Sequence, residues 1–407
     1  MSDARMRPIR ATIALDEARA LIAHAVRPIE RTERVGLDTA NGRVVSAPIT
    51  ARDDVPPFSR AAMDGYAVRA ADTVGASTQA PRTLAWLETV FTAQVPTKTV
   101  GEAQCTEIAT GAPMPSGADA VVMVEETEKD ADGRVRIFSP VYPGQHLTRR
   151  GADIRAGQTV LAVGDVLNPS RVGAIAALGL VDVEVFARPR VAILSTGNEV
   201  VDPGQPLEPG HIYDINKFTL SSILREHGIE PVPYPTAPDT VEDLERALRA
   251  CLAEDAVLFS GGSSVGERDL IVDVVARMGE VRFHGIAVKP GKPTLFGTIG
   301  GTPIFGMPGY PTSCLSNAYM LLIEPLRRMA RLPAWTPPTV TLPLGQRVVS
   351  TTGRHQFYTV RIVDGVVMPA FKASGDITSM SQADGYIEIP AQTDVVEKGE
   401  PVTVTLF

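Results

Sequence analysis

The stretch AVLFSGGSSVGERDLIVDVVARMG, Ala256–Gly279, decides the fold. A short apolar run ends in a loop of small residues, and a helical pattern follows from Glu267. That is the signature of a strand feeding a helix. The same alternation runs outward in both directions. RVAILST is an apolar run before it, and NKFTLSSILREHG reads as an amphipathic helix ending at Gly228. TVEDLERALRACLAED places Val241, Leu244, Ala247, Leu248 and Cys251 on one helical face. VRFHGIAV, TLFGTI and PIFGMPG follow as strands, and SCLSNAYMLLIEPLRRMA as a last helix. Alternating strands and helices predict a mostly parallel sheet with right-handed crossovers over residues 188–332.

Sheets of this kind bind ligands at the carboxyl ends of their strands. Four polar or glycine-rich segments fall there: STGNE at Ser195–Glu199, SGGSSVGERD at Ser260–Asp269, KPGKP at Lys289–Pro293 and GMPGYP at Gly306–Pro311. Gly261, Gly262 and Gly266 permit tight backbone geometry and close approach of N–H groups to an anion, and Ser260, Ser263 and Ser264 offer hydroxyls. Lys289 and Lys292 flank a proline–glycine turn, so less entropy is lost in holding two ammonium groups near one region. Pro308, Gly309 and Tyr310 offer backbone amides and a ring. Thr312 or Ser313 is placed to cap the helix that follows, and a capped helix start is itself an anion site. A phosphate- or oxyanion-bearing ligand is therefore expected.

Acids accompany these cations. Glu199, Asp214, Asp239 and Asp269 fall at or near the strand ends. Beside a bound phosphate they would repel it unless a hard cation intervened, which points to a metal–phosphate site with Mg²⁺ held by carboxylates. Plain roles compete for two of them. Asp239 with Glu242 spells a helix-capping box, and Asp214 can serve as a loop or cap acid.

The rest of the chain bounds the function. At 407 residues it has room for about three domains. Hydrophobic residues make up 44%, enough for packed cores, and 35 Gly with 33 Pro suit many turns and short strands. A net charge of −8 argues against a general nucleic-acid surface, though a few lysines can still be gathered in one cleft. Cys105, Cys251 and Cys314 lie far apart without metal-type spacing, so no disulfide framework is expected and a reducing cytoplasm fits. No signal peptide is read at the start, and no apolar stretch reaches the ~18 residues of a spanning helix. A catalytic triad, a HExxH, a CxxC and a dinucleotide-type GxGxxG are all missing.

A helix capped by Thr12, with Ile13, Ala18, Leu21, Ile22 and Val26 on its apolar face, opens the chain. Residues 8–50 and 147–187 read as an elongated N-terminal and linker region, with a helix in PSRVGAIAALG. Residues 51–146 read as a small β-rich domain with a turn at Asp132–Gly133, and residues 333–407 as a C-terminal β barrel or sandwich. Asp64 in PPFSRAAMDGYAV and Asp153 in RRGADI read from composition alone as turn acids.

Taken with TGAPMPSGADAVV at Thr110–Val122, STGNEV, IYDIN, GRHQF at Gly353–Phe357 and SGDITS at Ser374–Ser379, these motifs resemble the molybdopterin molybdenumtransferases, bacterial MoeA and the E domains of gephyrin-like proteins. The resemblance covers nearly the whole chain. It implies an α/β multidomain protein whose central molybdopterin-binding α/β domain has a mostly parallel sheet, beside a small β-rich domain and a C-terminal β barrel-like domain. It implies insertion of molybdate into adenylated molybdopterin with release of AMP, and Mg²⁺ as the divalent cation. It also implies a homodimer in which Asp64 reaches the α/β cleft of the partner subunit. Asp64, Asp153, Glu199, Asp239, Asp269, Lys289, Lys292, Arg354 and Ser374 match functional positions of the family, with Glu199, Asp239 and Asp269 as metal ligands. The molybdopterin adenylyltransferase and molybdoenzyme maturation proteins are candidate partners; nucleic acid and membrane are not. A tungsten-inserting paralogue, a non-catalytic scaffold and an adenylyltransferase acting one step earlier are the alternatives. Tyr310 stands where many bacterial members have Asn, and Ser263 where Val is frequent.

Overall fold

The computed structural model describes residues 11–261 and 270–407. The chain forms two compact units: one holds the chain up to Glu33, Gly42–Val44 and Val185–Phe407, the other Arg34–Asn41 and Val45–Glu184.

The first unit is built on a six-stranded sheet in the order Glu230–Pro233, Arg190–Ser195, Ala256–Ser260, Thr302–Met307, Leu295–Ile299, Glu280–His284. The first four are parallel; Leu295–Ile299 runs antiparallel to both of its neighbours, so the edge strand Glu280–His284 again runs in the direction of the first four. The mostly parallel sheet is thus present, with one reversed strand next to its edge. Side chains alternate across the strands, so each strand buries two apolar rows. Val191, Ile193, Leu258 and Phe305 face Leu220, Ile223 and Leu224 of the helix Asn216–Glu226. Ala192, Leu194, Val257 and Phe259 face Leu244 and Leu248 of Val241–Cys251, and Val274 and Val275 of Leu270–Met278. The helix Asn216–Glu226 ends before Gly228, which has φ +77° as its C-terminal position requires.

The last expected helix is interrupted. Pro311–Asn317 and Ile323–Met329 are joined by a widened π turn, Ala318–Leu322. Pro325 has no N–H to give the carbonyl four residues back, at Leu321, and the widened turn accommodates that loss. Two expected caps are corrected. The first helix runs Leu15–Ala25 with Ala14 before it and no side-chain cap, so Thr12 lies outside it. Helix Pro311–Asn317 has no side-chain cap either, because Thr312 is engaged elsewhere.

Beyond Thr339 a second six-stranded sheet forms, and its first strand comes from the α/β region. Val288–Lys289 pairs in parallel with the start of His355–Val363. Gly385–Ile389, Pro401–Leu406 and Thr339–Pro343 follow, with Val366–Pro369 on the far side of His355–Val363. Leu344, Val360, Val367, Ile387 and Val404 form its core.

The second unit carries the sheet Ala120–Met123, Gly65–Val68, Gln104–Ile108, Arg82–Val90, Arg134–Ile137, Thr127–Lys129. The expected turn falls between the last two, with Gly133 at φ +76°. Asn168 caps the helix Pro169–Ala177 through Arg171 N. Cys105, Cys251 and Cys314 are buried and free. Among the described residues no helix is long and apolar enough to cross a membrane.

Candidate anion and metal site

Three strand ends of the α/β sheet stop in line, with Ser195 beside Ser260 and Ser260 beside Met307. The loops that leave them nearly touch. Thr196 N donates to Ser260 O at 2.9 Å. Gly261 has φ +112°, and a Cβ there would fall 2.3 Å from Thr196 O. A Cβ on Gly309 would stand 3.6 Å from Gly261 Cα. At Gly261 only glycine fits this approach of backbone to backbone. Gly262, Ser263, Ser264, Gly266 and Asp269 lie outside the described residues.

Two of the expected acids, Glu199 and Asp239, lie close enough for one charge to act on the other. Ala237 N donates to Ser195 O at 2.9 Å, and Asp239 N donates to Asn198 Oδ1 at 3.3 Å, so the segment before helix Val241–Cys251 is stitched to STGNE. Burial, and then the charge of Glu199, push the Asp239 carboxyl above its ordinary range. The capping box is not formed by Asp239 and Glu242. Thr240 Oγ1 accepts from Asp243 N at 3.1 Å and donates to Asp243 Oδ2 at 2.7 Å. The residue one place later is better set to reach the first turn, and Asp239 lies just before the cap. Two crowded carboxylates with hard oxygen donors suit Mg²⁺. Among the described residues no group of three or more metal-ligating side chains forms, and the third expected acid, Asp269, is outside them. Asp214 has the plain role: its Oδ1 accepts from Lys217 N at 3.0 Å, and its other oxygen lies 3.6 Å from Lys217 Nζ, both side chains being buried.

The lysine loop joins the edge strand Glu280–His284 to its antiparallel neighbour Leu295–Ile299. Ile286 N donates to Lys292 O at 3.0 Å and Gly285 N to Thr294 O at 2.8 Å. Ala287 N donates to Ile13 O at 2.8 Å, and His355 N to Ala287 O at 2.8 Å. The loop is thus sewn to the N-terminal segment on one side and to the C-terminal sheet on the other. Lys289 Nζ donates to Thr351 Oγ1 at 2.8 Å, and Thr351 O accepts from Arg354 N at 3.3 Å. Lys289 and Arg354 therefore share one anchor.

The segment with Pro308, Gly309 and Tyr310 is held from two directions. Asn216 Nδ2 donates to Gly309 O at 2.8 Å. Thr312 N donates to Ser374 O at 3.2 Å, and Thr312 Oγ1 to Asp376 O at 2.9 Å. Ser374 of the C-terminal region is so brought onto the Tyr310 loop. Tyr310 itself is 64% exposed, while Ser313 is buried.

Asp64 and Asp153 belong to the second unit. Asp64 Oδ1 accepts from Thr110 N at 2.7 Å, which joins the first and second motifs of that unit. The loop of Asp153 lies against PPFS: Asp153 N donates to Val55 O at 3.0 Å and Gly151 N to Pro56 O at 3.0 Å.

Sequence reasoning missed Asn216, Asn317 and Thr351. Asn216 was visible only as the end of IYDIN, and an Asn at a helix start reads as punctuation. Asn317 sits in the last helix, 6 residues after Pro311, where nothing in the pattern sets it apart. Yet each gives an amide N–H to a glycine carbonyl of a strand-end loop, Asn216 to Gly309 and Asn317 to Gly291. Both have an Oδ1 without a hydrogen-bond partner.

Comparison with known proteins gives three family matches in chain order. Residues 13–179 match the MoeA N-terminal region (domain I and II), residues 192–328 the probable molybdopterin binding domain, and residues 341–407 the MoeA C-terminal region (domain IV). Molybdopterin molybdenumtransferase 2 of Mycobacterium tuberculosis is 37% identical over 384 residues, covering 92% of this chain and 93% of the relative. Molybdopterin molybdenumtransferase of Haemophilus influenzae is 31% identical, with 97% and 98% covered. The crystal structure of a molybdopterin biosynthesis MoeA protein from Pyrococcus horikoshii superposes with a TM-score of 0.85 at 37% identity, covering 97% of this chain and 99% of the other.

Proposed function

The chain belongs to the molybdopterin molybdenumtransferase family and is a transferase of molybdenum cofactor biosynthesis, and from that premise we propose that it inserts molybdate into adenylated molybdopterin with release of AMP. One observation carries the reading. The carboxyl edge of the sheet carries glycine-lined strand ends and two acids close enough to repel, and the loop of the anchored lysine leaves from the same edge. A substrate with a phosphate, an adenylate and an incoming oxyanion needs that mixture of charge.

Each part has a task. The glycines of the Ser260 and Met307 strand ends let backbone amides approach phosphate oxygens. Lys289 and Lys292 supply the balancing positive charge, and Ser374 and Arg354 bring the C-terminal region to the anion. Glu199 and Asp239 would hold Mg²⁺ with Asp269, and the cation would neutralise phosphate oxygens that the acids alone would repel. Holding the two reactants together, rather than a covalent intermediate, would supply the acceleration. The functional unit is a homodimer in which Asp64 of the partner subunit completes the cleft.

The test is direct. Adenylated molybdopterin is incubated with molybdate or tungstate, with and without Mg²⁺, and AMP is measured. AMP release that requires both the oxyanion and Mg²⁺ is expected. Binding of the pterin without AMP release would assign a scaffold role instead, and ATP consumption with bare molybdopterin would assign the adenylation step.

A further inference from the structure

We propose that Asn317 is a positioning residue that sets the lysine loop for anion binding, an inference that rests on the reading of Lys289 and Lys292 as anion ligands. The observation is a closed triangle of hydrogen bonds within the protein interior. Asn317 Nδ2 donates to Gly291 O at 2.9 Å and to Thr294 Oγ1 at 2.6 Å, and Thr294 Oγ1 donates to Gly291 O at 2.8 Å. Asn317 is 0% and Thr294 2% exposed. Such a bond network in a low-dielectric setting is stiff, because breaking any member strands a buried polar group.

Its place in the chain gives the triangle its consequence. Gly291 lies between the two lysines, one residue before Lys292 and two after Lys289. A Cβ on Gly291 would fall 2.4 Å from Asn317 Oδ1, so the loop backbone rests directly on the amide. The other ties hold the two ends of the turn, Lys289 through its pairing with Gln356 and the Lys292 carbonyl through Ile286 N and Thr294 N. The carbonyl between the lysines is fixed by Asn317 and Thr294 together. Asn317 also precedes the widened turn Ala318–Leu322, a local departure of the kind that often marks a functional stretch of helix.

Asn317 thus acts through the lysines and touches no reactant. Thr294→Val keeps the shape of the side chain and deletes one corner of the triangle; Asn317→Ala deletes two bonds. AMP release from adenylated molybdopterin is followed against molybdate concentration for each, alone and with Lys292→Ala, together with thermal melting. Misplacing the loop by about an ångström lowers kcat/KM for molybdate roughly a hundredfold. Thr294→Val is expected to approach that loss while still melting cooperatively, and to add little once Lys292 is gone. Should Asn317→Ala fail to fold, Thr294→Val decides alone. A folded Thr294→Val protein with wild-type kcat/KM overturns the inference while Lys292→Ala remains impaired. Full activity of Lys292→Ala overturns the anion reading itself, and the inference falls with it.

Discussion

Lys289 Nζ is 2.8 Å from Thr351 Oγ1, across 62 residues of chain. The hydroxyl accepts that hydrogen bond from the ammonium, so the cation is held by the C-terminal region before any ligand arrives. Lys289→Ala is expected to keep the fold and abolish AMP release. Thr351→Val should release the ammonium and lower kcat/KM about tenfold, the worth of one hydrogen bond to a charged group. Steady-state AMP formation for both variants checks this; a Thr351→Val enzyme faster than wild type would reverse the sign of the argument.

Asp239 gives a prediction with a definite pH sense. Its carboxyl is raised above the ordinary value of 3.8 by burial and by Glu199. A raised carboxyl favours the folded state below the unfolded pKa, and that contribution is lost as pH rises through the folded pKa. At neutral pH without divalent cation, Asp239→Asn should therefore melt above wild type, by less than about 1 kcal/mol because the site is half open to solvent. The gap should close on acidification toward pH 3.8. Mg²⁺ should raise the melting temperature of wild type and leave the variant unmoved.

Gly261 tests the close approach of the strand-end loops. Gly261→Ala would need a left-handed backbone and would set its Cβ 2.3 Å from Thr196 O. Gly204 also has positive φ, at +92°, yet has nothing within 4 Å. Gly204→Ala is expected to cost about 1 kcal/mol, and Gly261→Ala to cost about 2–4 kcal/mol and remove activity. Urea unfolding of the pair separates steric contact from backbone conformation.

His355 and Glu388 form a second pH-sensitive joint. The hydrogen bond from His355 Nε2 to Glu388 Oε2 is 2.6 Å long, and Arg19 lies 3.9 Å away. The His355 bond, and then the charges of His355 and Arg19, hold the Glu388 carboxyl below its ordinary 4.5, against the opposing effect of burial. Stability from this pair is present above pH 4.5 and lost as pH falls through the lowered value. Glu388→Gln should remove about 1–2 kcal/mol at neutral pH and flatten the acid limb. Equilibrium unfolding between pH 3 and pH 7, values chosen to span that limb, would show it.

The α/β sheet was legible because its strands are short apolar runs separated by helical periods and glycine stops. Leu244, Leu248 and Cys251 were expected on one face and are buried there. Capping was read less well. Asp239–Glu242 and Thr240–Asp243 offer the same spacing one residue apart, and only the backbone angle at the helix start decides between them. The anchor of Lys289 was not legible at all. Thr351 is remote in sequence, and a threonine in a strand-rich segment carries no local mark. The same holds for Asn317, whose role depends on which loop a fold lays over it.

The strand Val288–Lys289 is borrowed property. It is encoded between two strands of the α/β sheet but takes its register from His355 and Gln356 of the neighbouring one. A fragment cut at residue 332 would keep the strands of the parent sheet but lose Phe357, Met380 and Tyr386 from one of its apolar faces, and with them the ruler against which one of its two lysines is measured. Transplanting this cleft onto another scaffold would accordingly require carrying residues 339–407 along, not as a passenger module but as half of the instrument.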